Sequence, residues 1–310
     1  MGQALLTLWA SSVLVWSLLL LAPGDPARRV LAAKNIVNPN PLQVSAERTK
    51  LGLRGSPVHR YLRWLGGAVH GDLGTSWVTG HTVVHELGSR LPATLRLAIA
   101  SFGISVVLAL LLALIAASAP RRWPDTLARV VSLAFLVTPS FLLGTLLLDL
   151  VVVRWGHFRV LTTGHWDTVL LPAVTLSLGS AVVWSRILRG CLLESAGADY
   201  LEVSAARGAG RIRLLLVHAL PNSAVPFLTV MAVGVAGLLG GAPIVETVFN
   251  WPGIGAFAVQ SVTARDIPVI QGFTLFAVLA FVLTSLLIDV AVGALDPRAR
   301  RAAAAGSGHG

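Results

Sequence analysis

The chain has 310 residues, of which 55% are hydrophobic and only 12% charged, and its mean hydropathy is +0.77. Soluble domains carry about 25% charged residues, so a soluble enzyme is excluded and an all-α polytopic membrane protein is expected. The net charge of +10 is almost entirely arginine, with lysine only at Lys34 and Lys50. Arginine gathers in cytoplasmic loops and against anionic lipid, which explains the charge without a nucleic-acid partner.

Six apolar runs are long enough to cross the hydrocarbon core, which takes about 20 helical residues. They lie near 4–22, 93–118, 129–152, 169–188, 223–242 and 268–292. The first has no preceding charge and a long apolar stretch, so it reads as an uncleaved span over 1–22 and not as a signal peptide. Residues 23–92 are the longest polar segment. It opens on the breaker cluster Ala22-Pro23-Gly24-Asp25-Pro26 and is expected to be a folded extracytoplasmic loop. Residues 93–298 then form a five-helix core containing a basic loop, 189–222, and residues 299–310 a cytoplasmic tail.

Orientation follows from arginine in short loops. Arg121, Arg122 and Arg129 flank the second connection, Arg186, Arg189, Arg207, Arg211 and Arg213 crowd the fourth, and Arg298, Arg300 and Arg301 follow the last span. The third and fifth hold only Arg154, Arg159 and Arg265. Both termini are therefore expected in the cytoplasm, and a segment as long as 23–92 weighs little against this because long loops translocate regardless of charge.

The single cysteine, Cys191, excludes an internal disulfide. Neither lysine has the glycine-rich lead or the following Ser/Thr of a P-loop, so no ATP site is expected here. His81 and His85 are spaced i,i+4 and are weak candidates for a divalent metal. A metalloprotease reading fails because Thr82, Val83 and Val84 stand where H-E-x-x-H needs its glutamate. Trp251 with Pro252-Gly253 lies where an outer re-entrant loop would meet lipid headgroups.

The fourth connection holds the most informative stretch, Asp199 to Pro221. Glu202 and Gly208 are six apart, nine residues follow, and then come His218, Leu220 and Pro221. Residues 199–207 are good helix formers with an acid near the start, where the helix dipole favours it. Gly208 and Gly210 suit a helix end, and Arg211 starts a second helical stretch that Pro221 is expected to interrupt. The spacing resembles the ATPase-docking loop of ABC importer permeases, E-A-A-x-x-x-G-x9-I-x-L-P, with Val203 and Ser204 in place of the two alanines and His218 in place of the isoleucine.

Seven further groups of residues resemble one family, the dipeptide, oligopeptide and nickel permeases. Leu21-Ala22-Pro23-Gly24-Asp25-Pro26 is similar to its L-x-P-G-D-P, Gly71-Asp72-Leu73-Gly74-Thr75-Ser76 to its G-D-L-G-x-S, and Leu91-Pro92-Ala93-Thr94-Leu95 to its L-P-A-T-L before the second span. Pro139-Ser140-Phe141 resembles its P-x-F. Glu246-Thr247-Val248-Phe249 with Trp251-Pro252-Gly253-Ile254-Gly255 resembles E-x-x-F-x-x-P-G-x-G. Arg265-Asp266 with Pro268 matches R-D-x-P, and Asp296-Pro297-Arg298 the D-P-R ending.

This resemblance implies a six-span, type I importer permease in a bacterial inner membrane. Its partners would be a homologous second permease, two ATPase subunits that bind ATP-Mg, and an extracytoplasmic solute-binding protein; this chain itself would hold no cofactor and do no catalysis. It implies ATPase coupling through Glu202, Ala205, Ala206, Arg207, Gly208, Leu220 and Pro221. An outer gate or a seat for the binding protein would fall at Glu246, Phe249, Trp251, Pro252, Gly253 and Gly255. Peptide and nickel remain alternative cargoes. A rival from another class is a proton-coupled carrier built on Asp149 and Asp289, since intramembrane carboxylates are costly and often functional.

Overall fold

A computed structural model describes residues 2–21, 25–33, 36, 38–120, 122–156, 162–196 and 209–295. Among them there is no β-strand, only an isolated bridge between Thr75 and Thr82. Four helices are long and apolar enough to cross a membrane: Val83–Ser118, Leu170–Ala196, Arg211–Val248 and Ile267–Leu287. A bent pair, Trp123–Val137 with Ser140–Arg154, would make a fifth. The N-terminal helix runs over Gly2–Leu21.

The third apolar run, expected to form a span over 129–152, is bent into two helical halves, a broken span or a re-entrant loop. Its halves meet at 102°. Pro139 explains the break: it disfavours helical backbone at the residue before it, and Thr138 is indeed extended, with φ −80° and ψ 122°. Two other expectations about proline are corrected. The second helix starts at Val83, so Pro92 lies inside it and does not precede it. Pro221 does not interrupt the helix that begins at Arg211, which continues to Val248. A π-helical turn over Leu214–Ala219 directly precedes Pro221, and such a widened turn absorbs the missing N–H and the ring's clash with the carbonyl four residues back.

The chain divides into two compact units, residues 1–92 with 256–282 and residues 93–255 with 283–310. In the first unit, short helices at Pro26–Ala33, Pro41–Lys50 and Pro57–Val69 fill the polar segment. Ala27, Leu31 and Val44 form a small apolar cluster there. Asn40 caps the second of these helices with a reciprocal capping box to Gln43.

The second unit holds the main core. The 83–118 helix shows why its sequence suits a bilayer. Leu97, Ser101, Ser105, Ala109, Ala113 and Ala117 recur every four residues and are buried. Leu95, Ile99, Val107, Leu111 and Ile115 share the same spacing and are exposed. One face is small and packs closely, as membrane helices do; the other is large and apolar, as lipid requires. The Ser105 hydroxyl donates to Ser101 O within the helix at 2.7 Å and lies 3.1 Å from Ser177 O of the 170–196 helix. Trp184 of that helix is buried edge-on to Phe102, with ring centroids 5.7 Å apart. Gly234 makes room for it, since a Cβ there would lie 2.4 Å from Trp184 Nε1.

Candidate functional site

Three clusters gather the residues that the sequence singles out. The first joins L-P-A-T-L to E-x-x-F-x-x-P-G-x-G. Glu246, near the end of the 211–248 helix, is completely buried. Thr94 donates to its Oε1 at 2.7 Å and accepts from the Ile254 N–H at 2.9 Å. One hydroxyl therefore links a buried carboxylate to the first turn of the Ile254–Ala264 helix, where the helix dipole favours negative charge. The backbone comes very close: a Cβ on Gly253 would lie 2.1 Å from Glu246 Oε1, and one on Gly255 2.5 Å from Pro243 Cα. Gly255 has no room for a side chain against this backbone, whereas at Gly253 one would have to displace the end of Glu246.

Trp251 completes this cluster and corrects an expectation. It is fully buried, not at a headgroup surface, and its Nε1 donates to Ala93 O at 2.9 Å. The indole fills the core and satisfies its one donor internally, as buried tryptophans do. Phe249 is likewise buried, whereas Pro252 is exposed. Phe249 ring carbon Cε2 lies where a Cβ on Gly144 would come within 3.1 Å. The Thr162 hydroxyl lies 3.0 Å from both the Phe249 and the Asn250 carbonyl oxygens, which holds the turn.

The second cluster joins G-D-L-G-x-S to R-D-x-P. Asp266 is buried and accepts from Ser76 Oγ at 2.5 Å, the Trp77 N–H at 3.0 Å and the Val78 N–H at 3.3 Å. Asp72 accepts from the Gly74 N–H, and Gly74 has φ +87°, which glycine adopts readily. Leu73 and Val83 pack where Gly272 leaves space, since a Cβ there would meet Val83 Cγ1 at 2.5 Å. Nearby, Glu86 pairs with Arg90, whose guanidinium lies 4.0 Å above the Phe257 ring.

Sequence reasoning missed the third cluster. Asp125, in the first turn of the 123–137 helix, has no solvent exposure. It takes a bidentate pair from Arg189, Nε to Oδ1 at 2.7 Å and Nη2 to Oδ2 at 2.7 Å, and a further bond from Arg129 at 2.6 Å. Arg211 Nε meanwhile donates to Ala117 O at 3.1 Å. The arginines read as orientation signals are therefore partly consumed by structure. The legible hint is Asp125 placed four residues before Arg129, one helical turn away.

Glu202, Ala205, Ala206, Arg207 and Gly208 lie outside the described residues. Leu220 and Pro221 lie within the 211–248 helix. The His81 and His85 rings are 5.8 Å apart, and among the described residues no group of three His, Cys, Asp or Glu forms a metal-binding set. His81 precedes the helix that begins at Val83. Asp149 is 49% exposed and bonds Arg154 at 2.8 Å across a π-helical turn; the side chain of Asp289 lies outside the description.

Among the described residues the fold is helical, with helices long and apolar enough to cross a membrane and buried clips that unite separate blocks of sequence. The chain belongs to the binding-protein-dependent transport system inner membrane components, whose family model matches residues 109–301. It is a permease subunit of an ABC importer, which overturns the proton-coupled alternative. The glutathione transport system permease protein GsiC of Escherichia coli (strain K12) is 35% identical over 294 residues, 95% of each chain. GsiC of Shigella dysenteriae serotype 1 (strain Sd197) has the same identity and coverage. Two solved structures share the fold at 18% identity. A chain of an amino acid ABC transporter aligns with TM-score 0.52, over 68% of this chain and 94% of the other. A chain of the MetNI methionine ABC transporter aligns with TM-score 0.50, over 69% and 94%.

Proposed function

We propose that this chain is the membrane permease of an ATP-driven importer for peptide-type solutes, the class to which glutathione belongs. The observation that carries the reading is the 35% identity to GsiC across 95% of both chains. In this reading the chain crosses the inner membrane six times with both termini inside, the Gly2–Leu21 helix and the broken 123–154 pair counting as spans. The 23–92 segment and the 246–255 turn face outward. A homologous permease completes the channel, two ATPase subunits bind ATP-Mg, and an extracytoplasmic protein delivers solute.

The chain's own part is mechanical. The 189–222 loop docks on an ATPase, with Glu202 and Gly208 as the residues that couple it. Closure of the ATPase dimer favours one of two packings of the helices. Arg189 and Arg211, at the two flanks of the loop, are fastened to Asp125 and to Ala117 O, so displacement of the loop is passed to the 83–118 and 123–137 helices. The buried Glu246–Thr94 and Asp266–Ser76 clips hold the opposite motif blocks.

The test is uptake of labelled glutathione, dipeptides and nickel by a strain lacking the endogenous system and supplied with the complete importer. Peptide uptake abolished by Gly208→Val, with the chain still inserted, supports the reading; nickel uptake alone refutes the cargo. Cysteines placed at Ser56 and Thr163 should label from outside with an impermeant thiol reagent, and one at Ser204 only after permeabilisation. Labelling of Ser204 from outside refutes the orientation.

A further inference from the structure

The Pro57–Val69 helix carries no acid, and none occurs from Arg48 to Gly71, where Arg48, Lys50, Arg54, Arg60 and Arg63 supply five positive charges. Ser56 caps its start by accepting from the His59 N–H, and Pro57 takes the first helical position. At about 100° per residue, Val58, Leu62, Leu65 and Val69 fall within about 60° of one another. Leu65 is half-buried, whereas Val58, Leu62 and Val69 are 67%, 58% and 78% exposed. Arg60, Arg63 and Gly67 lie on the far side and line an open cavity of about 1150 Å³ that Glu47 and Asp72 share. The helix thus turns a polar face to a polar space, and the described residues leave its apolar stripe uncovered.

The fastening of this helix points to what covers the stripe. Tyr61 and Trp64 pack on Trp16 of the N-terminal helix, with ring centroids 5.8 and 5.9 Å away. Ser12 Oγ donates to Trp9 O at 2.7 Å, so the Tyr61 hydroxyl donates to Ser12 Oγ, at 2.8 Å. This relay leaves neither hydroxyl hydrogen open, as hydrocarbon surroundings demand. At about 1.5 Å per residue, Ser12 lies about 14 Å and Trp16 about 8 Å before the helix end at Leu21. The contacts are therefore well inside a helix, Gly2–Leu21, that holds no charge. With that helix as a span, the 57–69 helix lies in the outer leaflet. A water-soluble partner has no access at that depth, whereas lipid is already there. An apolar stripe on one side with arginines on the other is the form of helix that lies along a membrane surface, and arginine reaches out to the phosphates.

We propose that the Pro57–Val69 helix is an interfacial anchor, seated in the outer leaflet by Val58, Leu62 and Val69 and held on anionic lipid by Arg54 and Arg63. The inference rests on the reading of Gly2–Leu21 as a span, proposed above. The experiment uses the complete importer, with Cys191→Ala in this chain, in vesicles of phosphatidylcholine with or without phosphatidylglycerol. Val58→Cys, Leu62→Cys and Val69→Cys on the stripe, Arg63→Cys opposite and Leu14→Cys on the N-terminal helix each carry a nitroxide. Electron paramagnetic resonance then compares relaxation by oxygen, which enters lipid, with relaxation by chromium oxalate, which stays in water.

Oxygen is expected to dominate at the three stripe positions and chromium oxalate at position 63. Leu62→Glu, a change at an exposed position, is expected to abolish the oxygen preference at Val58→Cys and Val69→Cys. Phosphatidylglycerol is expected to increase that preference at Val69→Cys, and Arg54→Gln with Arg63→Gln to cancel the increase. Stripe labels that chromium oxalate reaches freely in both lipids overturn the proposal. Shielding that appears only when the solute-binding protein is added also overturns it and identifies a protein interface. A stripe that prefers oxygen equally in both lipids overturns the role given to anionic lipid. The span is checked separately at Leu14→Cys. Oxygen there with chromium oxalate on the stripe refutes the anchor alone, whereas the reverse pattern refutes the span and keeps the anchor.

Discussion

Asp125→Asn tests whether a buried charge cluster holds the inner framework. The substitution keeps volume but removes the charge that faces Arg189 through two bonds of 2.7 Å. Breaking a buried ion pair by neutralising one partner costs about 3–5 kcal/mol, because the other charge is left without compensation. Arg189 retains 22% side-chain exposure, so water recovers part of its solvation and the lower end, about 3 kcal/mol, applies. Arg129 is 52% exposed and adds less than about 1 kcal/mol. The expected loss is thus near two orders of magnitude in the folding equilibrium, at about 1.4 kcal/mol per factor of ten. The assay is chemical and thermal unfolding of the purified chain in detergent. A double variant, Asp125→Leu with Arg189→Met, should recover most of the loss, since an apolar pair replaces a buried ionic one at little cost. An Asp125→Asn chain within about 0.5 kcal/mol of wild type, a shift no larger than an ordinary surface substitution gives, refutes the argument. A double variant as weak as the single one shows that orphaned charge is not the cause.

Four further outcomes are expected. Gly253→Ala should destabilise the chain more than Gly237→Ala in the same helical bundle, because only the former drives a Cβ into Glu246 while Gly237 has nothing within 4 Å; the two melting temperatures decide it. Trp251→Phe should cost about 1–3 kcal/mol through the lost bond to the Ala93 carbonyl and the lost volume, read by detergent unfolding. Asp266→Ala should leave the Trp77 N–H unpaired and the Val78 N–H with only Ser76 Oγ and speed limited proteolysis within residues 71–82, whereas Asp266→Asn should be milder. Asp149→Asn should shift stability by less than about 1 kcal/mol, since it removes an exposed pair; uptake that collapses in this variant would point to a role for Asp149 beyond pairing.

Hydrophobic periodicity and arginine placement make the membrane class and the long helices legible, because a bilayer imposes length and polarity directly on the chain. The four-residue alternation of Leu97, Ser101 and Ser105 against Leu95 and Ile99 is visible in the order of the residues alone. Proline misleads in both directions. Pro139 breaks a run that composition makes continuous, whereas Pro92 and Pro221 lie inside helices. A widened turn, Leu214–Ala219, accompanies Pro221, whereas Pro92 lies in continuous α-helix, and local sequence does not record which outcome a proline takes. Trp251 is ambiguous because amphipathic character suits both a headgroup and a core site; only the carbonyl of Ala93, 158 residues away, distinguishes them. Asp125 is hidden for the same reason, as its main partner lies 64 residues on. The motif blocks are readable as blocks, but not which block meets which.

Those long separations bear on how the protein is made. Thr94 meets Glu246 across 152 residues, and Ser76 meets Asp266 across 190. At a ribosomal rate of about 5–20 residues per second, Thr94 waits about 8–30 s after synthesis for its carboxylate, and Ser76 about 10–38 s. The early helices must therefore persist in the bilayer with both clips open, through the insertion of most of the chain. Nascent chains that stall before residue 246 carry neither clip, so these two buried acids act late in biogenesis, as the last fasteners to close.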